Sequence, residues 1–124
     1  MKVVALDYGS ARTGVAVSDP SGTVARPLTT IQRAVSDAGF AKLLAVIESE
    51  EPELVVVGMP LTLRGEHGEQ ARETSAFVER LKAAQATPVE TYDERFTSVL
   101  AGGDDARAAA HLLSSYLEWQ SARR

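Results

Sequence analysis

Asp7, Glu94 and Asp105 are the residues of this chain whose types and positions could do chemistry. Each is a carboxylate at the end of an expected element. Asp7 stands at the end of the apolar run Val3-Val4-Ala5-Leu6, Glu94 just past Pro88-Val89-Glu90-Thr91-Tyr92, and Asp105 at the start of the last helical stretch. A carboxylate taken out of water is costly unless a cation or donors compensate it. Three together repel one another, and cations are what keep all of them ionised. Hard oxygen donors without histidine or cysteine point to magnesium or manganese. Two such ions about 3.5–4 Å apart can activate a water and stabilise the leaving oxygen of a phosphodiester. Taken alone, Asp7 reads equally well as a turn cap.

The elements that must position these carboxylates follow from hydrophobic pattern. Val3 to Leu6 is short, apolar and β-branched, which suits a strand buried on both faces. Gly9 and Gly14 give the turn its backbone freedom, and Val15-Ala16-Val17 returns as a second strand. Residues 23–31 read as a third, antiparallel strand, at an edge because Pro27 lacks a ladder donor. Ser36 is a plausible N-cap for a helix over about 37–49, with Phe40, Leu43, Leu44 and Ile47 on one stripe. Residues 54–58 form another buried strand, parallel to the first because a helix precedes it. The loop from Met59 to Gly68 lies where α/β folds place ligands, and reads equally well as an ordinary connector. A helix over 69–84 turns Ala71, Thr74, Val78 and Leu81 inward, with Phe77 beside them and Glu69, Glu73, Glu79 and Arg80 as a solvated face.

The fifth strand spans Pro88 to Tyr92, and Thr97 to Leu100 reads as a helical turn stopped by Gly102-Gly103. The last helix starts at Asp104 or Asp105 and runs to about Gln120. Asp105, Ala109, Leu112 and Tyr116 share one face, so Asp105 leads the buried stripe while Asp104 serves as N-cap. His111 falls off that stripe, and Trp119 reads as packing. The order β-β-β-α-β-α-β-α is that of an α/β domain over 1–124. If strands one, four and five are parallel neighbours, Asp7 and Glu94 emerge at one sheet edge, and the last helix can bring Asp105 to them.

Composition narrows the classes. The chain has 124 residues, enough for one core, and no cysteine, which excludes disulfides and thiolate metal sites. No apolar run approaches the ~20 residues that span a membrane, and no leader pattern opens the chain, so the cytoplasm is the expected location. The net charge of −4 is uneven: residues 36–94 carry five basic and twelve acidic side chains. Such a chain is a poor non-specific nucleic-acid binder, and any such site needs a local basic rim or bound cations. Arg12, Arg26, Arg33, Arg95 and Arg107 are rim candidates, although solvated surface is the plainer reading for most of them singly.

Asp7-Tyr8-Gly9, Arg12, residues 14–19, Val57-Gly58-Met59-Pro60-Leu61, Asp93-Glu94-Arg95-Phe96-Thr97-Ser98 and Asp105 with Ser115-Tyr116-Leu117-Glu118 follow one another along nearly the whole chain. In these motifs the chain resembles the YqgF/RuvX family. Members of that family are described as pre-16S rRNA nucleases or Holliday junction resolvases. The resemblance implies a ribonuclease H-like five-stranded mixed sheet in the order 3-2-1-4-5, flanked by helices. It implies that Asp7, Glu94 and Asp105 are the acidic triad of Mg2+ or Mn2+ ligands, and that Arg12 and Arg95 face substrate. Two departures stand out. Ala11 replaces a frequent lysine, and only ten residues lie between Glu94 and Asp105, where the family has a longer basic segment.

Three readings follow. The first is a metal-dependent endonuclease on structured nucleic acid, with 5′ processing of pre-16S rRNA ahead of four-way DNA junctions; symmetric junction cutting calls for a two-fold homodimer. The second is a nucleic-acid-binding assembly module with weak or lost catalysis, which the shortened segment favours. The third is an ATP-binding domain, suggested by Asp-x-Gly-x-x-x-x-Gly and disfavoured because the chain has no length for a second lobe.

Overall fold

The computed structural model describes residues 1–60, 68–93 and 105–123. Its elements are β1 (Val3–Asp7), β2 (Arg12–Ser18), β3 (Ala25–Gln32), α1 (Asp37–Glu50), β4 (Leu54–Met59), α2 (Glu69–Ala84), β5 (Val89–Asp93) and α3 (Asp105–Ala122). The strands form one five-stranded sheet in the order β3-β2-β1-β4-β5. β1 pairs antiparallel with β2 and parallel with β4, and β5 continues the parallel half. The expected order and directions are therefore present.

Side-chain alternation along the strands divides the core in two. Val4, Leu6, Val15, Val17, Val55 and Val57 face α1 and α2, where Phe40, Leu43, Ile47, Phe77, Val78 and Leu81 meet them. Val3, Ala5, Ala16, Leu54 and Val56 face α3 and its Ala109, Leu112, Leu113, Tyr116 and Leu117. With helices on both faces, β4 is buried along its whole length, which is why its sequence is a continuous apolar run. Each fully buried leucine or valine contributes about 1.5–3 kcal/mol relative to exposure. Among the described residues no helix is long and apolar enough to cross a membrane.

Several boundaries differ from the expected ones. β3 begins at Ala25 rather than Thr23, because Asp19 captures the turn: its carboxylate accepts from the Thr23 and Val24 amides at 2.8 and 3.0 Å and from the Ser21 hydroxyl. These hydrogen bonds hold the Asp19 carboxyl down at about 2. Pro27 does lie on an edge strand, opposite Ala16, beside a register shift between Val15 and Ala16. Ser36 caps α1 as expected, accepting from the Gly39 amide at 3.1 Å. Arg80 is not simply solvated: its guanidinium lies 3.9 Å from the centre of the Phe40 ring and donates to the Val35 carbonyl and to Asp37. Its long stem can cover apolar surface while the head stays polar, which a charge count does not register.

α3 is tied to β5 as well as to the sheet centre. The Tyr116 hydroxyl donates to Glu90 at 3.1 Å, and the Tyr92 hydroxyl meets Ser115 Oγ at 2.8 Å. Trp119 packs against both tyrosine rings at 5.7 Å while remaining 43% exposed, and His111 is exposed. Both match the sequence reading. The expected helical turn at Thr97–Leu100, the Gly102-Gly103 stop, the Asp104 cap and most of the loop after Met59 lie outside the described residues.

Candidate active site

Asp7 ends β1 opposite Gly14 of β2. Its parity matches Val3 and Ala5, so it belongs to the sheet face that α3 covers. On β2 the same face carries the even-numbered residues, Arg12 and Gly14 among them. Gly14 is what lets α3 close on this corner. A Cβ built on it would lie 1.8 Å from the Asp105 carbonyl oxygen and 2.3 Å from its carbonyl carbon. Only a bare backbone admits the first turn of α3 so close to the strand.

Asp105 is thereby set beside Asp7, across nearly a hundred residues of sequence. Its Oδ2 accepts from Arg12 Nε at 2.8 Å. The Arg12 side chain is about half exposed and that of Asp105 28% exposed, so the guanidinium sits at the mouth. Burial, and then the neighbouring Asp105 charge, hold the Asp7 carboxyl above the ordinary carboxylate range. Tyr8, the next residue, faces the opposite side of the sheet. Burial and the charge of Glu73 push its hydroxyl up, partly offset by Arg80.

The structure thus brings together three of the five residues expected at the site: Asp7, Arg12 and Asp105. Glu94 and Arg95 lie outside the described residues. Glu94 follows directly on β5, whose Glu90 and Tyr92 reach α3. Among the described residues no group of three or more histidine, cysteine or acidic side chains is close enough to hold a metal ion. The donor set nevertheless fits a hard divalent cation: two carboxylates with shared burial and no soft ligand. A cation between them would offset the burial and the repulsion that together raise Asp7.

Of the wider arginine rim, Arg33 is at this end of the sheet, its amide bonded to the Ala11 carbonyl beside the Arg12–Gln32 pair. Arg26 is opposite Val17, at the far end. Arg107 is in the first turn of α3, exposed. Gly14 was legible only as turn freedom; its position inside a strand pattern is the signal that a neighbouring backbone approaches. The Arg12–Asp105 pair was not foreseen, although register and parity place Arg12, Gly14 and Asp7 on one face.

The chain is similar to known proteins. A family model described as RuvX, Holliday junction resolvase, matches residues 1–104. A protein of Oleidesulfovibrio alaskensis named "Putative pre-16S rRNA nuclease" is 39% identical over 139 positions, covering all of this chain and 96% of its own length. Its namesake in Nitratidesulfovibrio vulgaris is also 39% identical, over all of this chain and 98% of its own. A third, from Chloroflexus aurantiacus, is 43% identical over 99 residues, of which this chain spans 65% of the relative's length. An alignment of 139 positions against 124 residues means the first relative carries residues this chain lacks, in keeping with the short segment before Asp105.

Among solved structures, Thermus thermophilus RuvC with a Holliday junction substrate superposes at a TM-score of 0.63 and 18% identity, covering 98% of this chain and 96% of that one. Fowlpox virus resolvase with junction DNA gives 0.62 at 12% identity, covering 97% and 99%. These likenesses bear out the ribonuclease H-like fold. The family match across residues 1–104, with relatives aligned along the whole chain, shows that this chain belongs to the RuvX family.

Proposed function

We propose that this chain is a divalent-cation-dependent endonuclease that hydrolyses phosphodiester bonds in structured nucleic acid, with the 5′ end of pre-16S rRNA as its substrate. The observation that carries the reading is the convergence of Asp7, Asp105 and Arg12 at one corner of the sheet. The names of the aligned relatives favour the rRNA substrate, and that substrate sets the activity in the cytoplasm.

Asp7, Asp105 and Glu94 would hold one or two Mg2+ or Mn2+ ions, which would supply Lewis acidity toward a phosphate and an attacking water. The protein supplies position. Asp7 is fixed by the ladder at the end of β1 and Asp105 by the seat of α3 on Gly14, so the carboxylates pay little reorganisation on binding. Arg12 keeps Nε on Asp105 and turns its remaining donors to a phosphate oxygen, a geometry the planar guanidinium suits. Arg95, the second arginine expected at the site, is proposed to bind the substrate phosphate as well.

The test is cleavage of a labelled 5′ fragment of pre-16S rRNA and a four-way DNA junction, with Mg2+ or Mn2+, by the wild type and Asp7→Asn. Cutting of the rRNA at a defined position, dependent on the cation and absent in Asp7→Asn, is the expected result. The description of the matching family model favours a second reading, a junction resolvase. That reading predicts paired symmetric cuts in the junction and a two-fold dimer in solution. No cutting of either substrate by folded protein contradicts both and leaves a binding module without catalysis.

A further inference from the structure

Behind the acidic corner, on the other face of the sheet, lies a cavity of about 400 Å3. Tyr8, Val35, Ala76 and Phe77 form its apolar walls, and Ser10 and Glu73 bring polar groups to it. Tyr8 and Phe77 are stacked, ring centres 4.4 Å apart and 24° from parallel. Arg80 borders the cavity with its guanidinium already fixed by the Phe40 ring, the Val35 carbonyl and Asp37. The Tyr8 hydroxyl has no hydrogen-bond partner among the described residues. Val35 is 53% exposed, so the cavity is open at its rim.

We propose that this cavity is a subsite for one unstacked nucleobase of the strand whose phosphate is held at Asp7 and Asp105; the inference rests on the nuclease reading. Three features carry it. The first is place: Tyr8 is the residue after Asp7, so strand alternation puts the carboxylate on one face and the ring on the other, at the same end of β1. A strand passing over that end reaches both faces within neighbouring nucleotides. The second is wall chemistry: the rims of Tyr8 and Phe77, 9% and 4% exposed, with aliphatic neighbours and few polar groups, line a slot that a planar heterocycle can enter. The third is polarity: Glu73 offers acceptors and the Tyr8 and Ser10 hydroxyls offer donors and acceptors, a mixture that matches a base edge and that a purely apolar occupant leaves unpaired. The sheet edge then reads a flanking base while the acidic corner holds the phosphate.

The experiment fills the cavity and removes the base, together and separately. Ala76 is exposed on α2, so Ala76→Phe projects a ring into the cavity without disturbing the core; Val35→Trp does the same from the opposite wall. Both are made in the otherwise wild-type chain, with Ca2+ in place of Mg2+ or Mn2+ so that bound substrate is held for measurement. Binding of the pre-16S rRNA fragment and of the four-way junction is measured by fluorescence anisotropy, with a single abasic position moved through the nucleotides around the cleavage site. The expected result is one position at which losing the base weakens binding about tenfold, with no further loss when the cavity is filled. If a substrate binds and every abasic effect persists unchanged in both filled variants, the subsite is overturned and the nuclease reading stands. If the wild type neither binds nor cuts either substrate, the nuclease reading falls and the subsite with it.

Discussion

Asp7 sits half-buried beside a second carboxylate, and that position has a measurable consequence. The unfolded chain releases the Asp7 proton near 3.8, the folded chain at higher pH. Between those values the folded state holds more protons, so stability falls as pH rises through the window and stays lower above it. Asp7→Asn is therefore expected to raise the Tm of the cation-free protein near neutral pH, with the gain gone below about pH 3.5; melting curves at the two pH values check this. A variant less stable than the wild type near neutrality would contradict it. Arg12 behaves differently. Its pair with Asp105 is largely solvent-exposed, so Arg12→Ala shifts stability by less than about 1 kcal/mol. If Arg12 steadies the phosphate, the same change lowers kcat/KM for cleavage by about 10²-fold. Assays of melting and cleavage on one preparation separate the two effects.

α3 is the element that completes the site, and Gly14 is where it rests. Gly14→Val places a side chain where the Asp105 backbone now lies. The first turn of α3 must then lift, at a cost of about 1–3 kcal/mol, carrying Asp105 away from Asp7 with every carboxylate still present. Leu112→Ala, deep on the same helix, costs about 2–5 kcal/mol but leaves the seat intact. The account predicts that Gly14→Val loses activity beyond its loss of stability, while Leu112→Ala retains activity wherever it is folded. Denaturant melts and cleavage rates compare them. Much at this scale was legible in the sequence. The Phe40-Leu43-Ile47 and Ala109-Leu112-Tyr116 stripes and the unbroken Leu54–Val57 run each permit one burial geometry, so helices and central strand followed. Gly14 did not, because a glycine's pattern does not say whether it bends a turn or admits a neighbour. Arg80 and the start of β3 escaped for a similar reason: the Phe40 ring and the Asp19 hydrogen bonds are contacts of the folded chain.

Over the whole molecule, an acidic protein must hold a polyanion through few contacts. Of the described arginines weighed as a rim, Arg12 and Arg33 stand at the site end of the sheet, Arg107 opens α3, and Arg26 is at the far end. With two or three phosphates engaged, log Kobs against log salt is expected to fall with a slope of roughly −2 to −3 on duplex DNA. A slope steeper than roughly −6 would demand a basic surface that these residues do not form. On the proposed reading, affinity then comes from the cation site and from shape. Topology explains why Asp7 and Asp105 meet at one corner. Parallel strands β1 and β5 end at the same edge, and α3 begins there, so residues far apart in the chain share a corner. The Asp7–Asp105–Arg12 contact itself required the register and the Gly14 seat.

If Asp7 and Asp105 form one cation site, thermal unfolding with increasing Mn2+ reveals it in wild type, Asp7→Asn and Asp105→Asn. Mn2+ is expected to raise the wild-type Tm in a saturable way, and either substitution to abolish the rise. Equal stabilisation of all three proteins rules the shared site out.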